Sequence, residues 1–167
     1  MRPKSQNGGM DGGADFSRDG RYRYTLERRI LPAGTHGVFI ALNPSTADAE
    51  TDDPTIRRIT GFARSFGHAR LTVVNLYAYR ATHPRELLNV ADPVGARNED
   101  VVRTVLEAAD QIIACWGCSD IVRRLPGSPV EDLLKRRHDV ACLGTTKDGT
   151  PRHPLYLRKD TRTEPWP

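Results

Sequence analysis

The chain has 167 residues, of which 38% are hydrophobic, and a formal charge of +4. That length suits one α/β domain with a real core and is too short for two comfortable ones. No apolar segment approaches the roughly 18 residues of a membrane span, and the N-terminus lacks the apolar core of a signal peptide, so a cytoplasmic protein with no membrane partner is expected.

Residues Met1 to Gly20 hold five glycines and few apolar side chains, too little to offset the entropy of ordering. They are expected as a disordered tail, followed by a single α/β domain over 21–160 and a C-terminal tail over 161–167. From Arg21, the stretch RYRYTLERRIL alternates Tyr22, Tyr24 and Leu26 with polar neighbours, the period of a half-exposed edge strand.

Four short, β-branched-rich runs follow: GVFIAL, LTVVNL, QIIACW and DVACL. Their continuity predicts strands buried on both faces of a mostly parallel sheet, with helices between them. Asp53 and Pro54 supply a helix start, with Ile56, Ile59, Phe62, Ala63 and Phe66 on one face until Gly67. Asn98 begins a second helix with Val102, Val105, Leu106 and Ala109 inward. A shorter helical segment is expected over Ser119 to Leu125. Ser128-Pro129 opens another helix, with Val130, Leu133 and Leu134 inward. The fold class is therefore α/β: three α/β/α layers around a central, mostly parallel sheet of about four strands, plus an N-terminal antiparallel strand or hairpin.

Parallel strands open their carboxyl ends onto one edge. That edge would gather Asn43, Pro44, Ser45 and Thr46 after the first parallel strand, then Asn75, Tyr77 and Arg80 at and after the second. Trp116 and Gly117 follow the third, and Arg152, His153, Pro154, Leu155 and Tyr156 lie beyond the fourth. Amides, hydroxyls, an Arg, a His and aromatic faces suit a flat heterocycle better than a long apolar ligand. Asn75, an amide inside the apolar TVVNLYAY, must find a partner in backbone or ligand, because leaving it unpaired costs about 1–3 kcal/mol.

Other chemistry has less support. There is no Gly-x-Gly-x-x-Gly, no Gly-Lys-Ser/Thr loop and no Gly-x-Ser-x-Gly elbow. Cys115 and Cys118 have the spacing of a metal half-site without a second pair, and Cys142 stands alone; three such cysteines fit a reducing compartment. Asp48, Asp52 and Asp53 could hold a divalent ion, but Asp53 reads as a helix cap and the other two as loop solvation. His36, His68 and His138 are assigned nothing.

The set LNPSTAD, DDPTIRR, VNLYAYRATHP, WG and LGTTKDGTPRHPLYL resembles the family named for domain of unknown function 1643, from about Tyr22 to Leu157. The strand-end motifs are also similar, in the same order, to those of the uracil-DNA glycosylase superfamily. ALNPS (Ala41 to Ser45) resembles the Gly-Ile-Asn-Pro-Gly loop of its mismatch-specific branch, and VVNL the strand whose Asn reads the uracil edge. ACWG resembles a Leu-Trp-Gly strand end, and HPLYL the His-Pro-Ser loop that enters the minor groove.

This second resemblance implies a uracil-DNA-glycosylase-like fold in which Asn43 orients the attacking water, Asn75 pairs with the base edge and His153 stabilises charge on the leaving base. It implies DNA or RNA, or a free nucleobase or nucleotide, as partner, with no metal and no cofactor. The chain departs from the pattern at Ala41 and Ser45, which replace glycines, in lacking an Asp at the usual water-activating position, and in HPLYL itself. Without four cysteines no iron-sulfur cluster is expected. Three readings stand open: a metal-independent N-glycosidic hydrolase on a modified or mismatched base, a non-catalytic base or nucleotide binder, and a metal-dependent hydrolase or transferase using DDPT and Arg80 on a phosphorylated small molecule. For a polymer partner, Lys147, Arg152, Arg158 and Lys159 would contact phosphate around a Leu155-Tyr156-Leu157 wedge; the competing arrangement packs Leu155 and Leu157 inward.

Overall fold

A computed structural model describes residues 12–117 and 120–167. Strand β1 (Gly12–Phe16) pairs antiparallel with β2 (Arg23–Arg29). The remaining strands are β3 (Thr35–Ala41), β4 (His68–Asn75), β5 (Gln111–Ala114), β6 (Val140–Cys142) and β7 (Glu164–Pro165). Among the described residues they form one seven-stranded sheet in the order β1-β2-β4-β3-β5-β6-β7. The four apolar runs supply the parallel centre, β4-β3-β5-β6, while β2 joins β4 and β7 joins β6 antiparallel. The fold is mixed α/β.

Strand alternation feeds two cores. Val38 and Ile40 of β3, Val74 and Ile112 pack with Val102 and Leu106 of α2 (Asn98–Glu107) and with Val130 and Leu134 of α4 (Pro129–Lys135). Phe39, Leu71, Val73 and Ile113 pack instead with Ile56, Ile59, Phe62 and Ala63 of α1 (Pro54–Ser65). A short helix, α3 (Asp120–Arg124), adds Ile121 to the first core. The helix starts work as their sequences suggest. Asp53 Oδ1 accepts from Ile56 N at 2.9 Å with Pro54 in the first turn, and Gly67 follows α1 at φ +79°, a value glycine adopts without strain. No helix among the described residues is long and apolar enough to cross a membrane.

Three expectations change. Gly12–Phe16, placed in the tail by composition, form an ordered strand, and the glycines are part of the reason: a Cβ on Gly12 would lie 2.9 Å from Arg28 Nη1. Residues 1–11 lie outside the described part. Strand β2 is not an edge, because β1 covers it. Within 161–167, Glu164–Pro165 pair with β6, Trp166 N donates to Val140 O at 2.9 Å, and the Trp166 ring packs against the core.

Topology fixes where a site can form. The chain leaves β3, crosses through α1 to β4 on one side, then through α2 to β5 on the other side of β3. A reversal of this kind leaves a crevice outside the carboxyl ends of the strands.

Candidate functional site

That crevice is a cavity of about 390 Å³, lined by the ends of β3, β4 and β5, the start of α1 and the 3₁₀ turn Pro154–Tyr156. Asn43, Ser45, Asn75, Trp116, Gly117, His153, Leu155 and Tyr156 all line it. The size lies within the roughly 300–1,000 Å³ of small-molecule pockets.

Asn75 ends β4 beside Ala41 of β3 and is 1% exposed. Neither Oδ1 nor Nδ2 has a hydrogen-bond partner, so the amide is a buried donor and acceptor left unpaired on a residue that lines the cavity. Its backbone is held independently: Asn98 Nδ2 donates to Asn75 O at 3.0 Å and Ser128 Oγ to Leu76 O at 2.8 Å.

Asn43 has a different arrangement. Its Nδ2 donates to Pro44 O (3.0 Å) and Ala81 O (2.9 Å), which fixes the amide orientation and leaves Oδ1 as the available acceptor.

His153 caps the 3₁₀ turn, with Nδ1 accepting from Leu155 N at 3.2 Å. Burial holds the imidazole below its ordinary range, opposed by the negative charge of Asp53. A neutral ring whose Nδ1 is an acceptor carries its proton on Nε2, so His153 is a neutral donor. Gly117, at φ +84°, lets this ring approach: a Cβ there would lie 3.0 Å from His153 Cβ. Gly117 N donates to Pro151 O at 3.0 Å, tying the two loops together.

Trp116 is buried at the cavity wall, braced edge-on by Trp166 with ring centroids 5.1 Å apart. At the rim, Leu155 is exposed and Tyr156 is 86% exposed, while Leu157 is half-buried against the α1-side core. The segment is thus divided: two apolar side chains face outward and one inward.

Other expected site residues fall elsewhere. Tyr77 is buried on the α2 side, its hydroxyl donating to Pro126 O at 2.7 Å, and burial together with Glu131 pushes the phenol up to about 12. Arg80 Nη1 donates to Gly20 O and its guanidinium lies over Phe16, against the N-terminal hairpin. Pro44 is buried with its carbonyl accepting from Asn43 and Ala81. Thr46 and Arg152 are exposed outside the cavity, and Pro154 is buried beneath the turn.

Two charged residues that sequence reasoning left out of the site join it. Arg23 is 2% exposed, with Nη1 donating to Ala47 O at 2.8 Å and Nε unpartnered. Burial pushes it down to about 10, against the pull of Asp53, so it stays a cation at neutral pH. Asp53 is 8% exposed and lines the same cavity. Only its cap signal was readable; that the cap faces a pocket depends on how α1 docks.

Asp48 accepts from Glu50 N and Thr51 N, and Asp52 pairs with Arg28 at 2.8 Å. Among the described residues no three His, Cys, Asp or Glu side chains converge as a metal site. Cys115 is fully buried in the α1-side core, where desolvation drives its thiol far upward; Cys118 lies outside the described residues. A larger cleft of about 680 Å³ at the opposite edge is lined by His36 and Asp110, but these are already engaged: His36 with Ala108 O and Thr72 Oγ1, Asp110 with His36 N.

The model of the family described as protein of unknown function (DUF1643) matches residues 23–155. The chain belongs to the DUF1643 family. The matched span runs from Arg23 to Leu155 and so contains every residue that lines the pocket except Tyr156. Comparison with curated proteins and with solved structures finds no match.

Proposed function

We propose that this DUF1643 protein recognises a nucleobase and acts as a metal-independent N-glycosidic hydrolase of uracil-DNA-glycosylase type on a modified or mismatched base. The observation that carries the reading is Asn75, whose amide is buried at the crevice with both polar atoms free. Such a group is costly without a ligand and repaid by one that presents a neighbouring donor and acceptor, as a base edge does.

The surroundings agree with that ligand. Trp116 offers a buried aromatic wall, His153 Nε2–H a neutral donor for charge developing on a departing base, and Asn43 Oδ1 an acceptor for water. Hydrolysis then breaks the C1′–N bond with its electron pair passing to the base, and the water oxygen bonds to C1′. The two cores on opposite faces of the sheet are compatible with the three-layer arrangement of that superfamily. Exposed Tyr156 and Leu155 at the rim suit a nucleic-acid substrate in a cytoplasmic setting.

The test is a base-release screen. Oligonucleotides carrying uracil, hypoxanthine or mismatched thymine, single- and double-stranded, are assayed with free nucleosides and nucleotides alongside. Release from one of them, abolished in Asn75→Ala, is the expected outcome. Binding without release selects a non-catalytic binder. Neither binding nor release removes the nucleobase reading.

A further inference from the structure

The segment that caps α1 also places a carboxylate in the pocket, and on the hydrolase reading above this has a chemical consequence. Asp53 uses Oδ1 to accept from Ile56 N, and no protein group among the described residues hydrogen-bonds Oδ2. The side chain is 8% exposed and shares the cavity with Asn43, Asn75 and His153. Its charge acts on Arg23 and His153, pulling each upward against burial. The helix cap thus fixes one oxygen and leaves the other without a protein partner, on a residue that lines the same cavity as Asn43 and His153. Position comes first in judging a proton acceptor, and this one is held by the backbone of a twelve-residue helix.

We propose that Asp53 is the proton acceptor of the hydrolytic step. Water oriented by Asn43 Oδ1 gives a proton to Asp53 Oδ2 as its oxygen bonds to C1′. The C1′–N bond breaks, its electron pair goes to the base, and the His153 Nε2–H hydrogen bond stabilises the resulting anion. The base then takes up a proton from solvent and Asp53 returns its own, so one water is consumed and neither oxidant nor reductant is needed. This carboxylate does not come from the Asn-Pro loop after β3. It reaches the site from the next element of the chain, and Arg23 balances its charge.

The cap itself makes the test clean. Asn is as good an N-cap as Asp, so Asp53→Asn keeps the bond to Ile56 N and removes only the charge and the proton-accepting oxygen. Wild type and Asp53→Asn are compared on the substrate found in the base-release panel. KM is expected to be unchanged and kcat lowered about 100-fold or more, while the thermal midpoint falls because buried Arg23 loses an opposing charge. The His153 ring proton resonances should titrate at lower pH in the variant, because an opposing negative charge is gone. A kcat within about threefold of wild type, far below the roughly 10²–10⁴ expected of general base catalysis, overturns this inference alone. Should wild type release no base from any member of the panel, the hydrolase reading falls and this inference with it.

Discussion

Asn98 and Asn75 are coupled through the backbone: the first residue of α2 donates from Nδ2 to the main-chain carbonyl of the last residue of β4, at 3.0 Å, while the Asn75 side chain is left unpaired. The structure spends one buried amide to hold another ready. Asn75→Leu, close in volume, should therefore stabilise the protein, by up to about 1–3 kcal/mol, because an unsatisfied buried amide is removed. Base binding should be lost. Asn75→Asp should keep the fold and change which base is bound, since an acceptor replaces a donor. Urea unfolding alongside equilibrium binding of free bases checks both; a large loss of stability in Asn75→Leu would show that the amide is structural.

Acid sensitivity should begin near neutrality. Burial holds both His153 and His68 below the ordinary histidine value. Above about pH 6.5, folded and unfolded chains both carry neutral rings, and the stability is fully present. As pH falls below that, the unfolded chain takes up protons that the folded one refuses, and stability drops until the folded values are passed. The urea midpoint should be flat from pH 7 to 8 and decline from about pH 6.5 downward. His68→Gln should flatten part of the decline. A midpoint independent of pH between 5 and 8 would contradict the burial argument.

Gly117→Ala tests how tightly the pocket wall is set. A methyl there meets His153 Cβ at 3.0 Å on a backbone at φ +84°. Stability should fall by at least about 1 kcal/mol, and His153 should be displaced, so base release should drop more than binding. Unfolding curves with kcat and KM separate the two effects.

Salt dependence distinguishes a polymer from a free base. Arg152 is exposed and holds Thr145 O through Nε, and Arg158 pairs with exposed Asp160 at 3.0 Å, a weak, screened contact that a phosphate can replace. Arg152→Ala and Arg158→Ala should each reduce the slope of log affinity against log salt by about 0.7 to 0.9. Tyr156→Ala should weaken DNA binding with little change in slope and no loss of stability, because the side chain is 86% exposed. If wild type shows no salt-dependent affinity for DNA or RNA, the ligand is a free base or nucleotide.

Most of the central architecture was readable from the chain. The apolar runs at β3, β4, β5 and β6 and the helix starts at Asp53 and Ser128 are local signals, set by side-chain period and by caps that bond within a few residues, whereas Asn98 opens α2 without a side-chain cap and bonds to β4 instead. The convergence of Asn43, Asn75, Trp116 and His153 also follows from them, because parallel strands must open on one edge. Composition misled at both ends. Glu164–Pro165 gain order from pairing with β6, far back along the chain, and Gly12–Phe16 from closing a hairpin onto β2, a pairing that their glycine-rich composition hides.

Tertiary structure alone decided which polar groups enter the pocket. Tyr77 lies two residues past Asn75, where the chain has already left the strand and turned into the other core; Arg80 lies further along the same loop and is taken by the N-terminal hairpin. Arg23 reaches the crevice from an antiparallel strand, Asp53 by the docking of α1, and Trp166 braces Trp116 from just past the last strand. Sequence determines what each segment does alone, because propensity and capping act over a few residues. Burial of a charge or an unpaired amide depends on which surfaces meet, and that is settled only when the sheet is assembled.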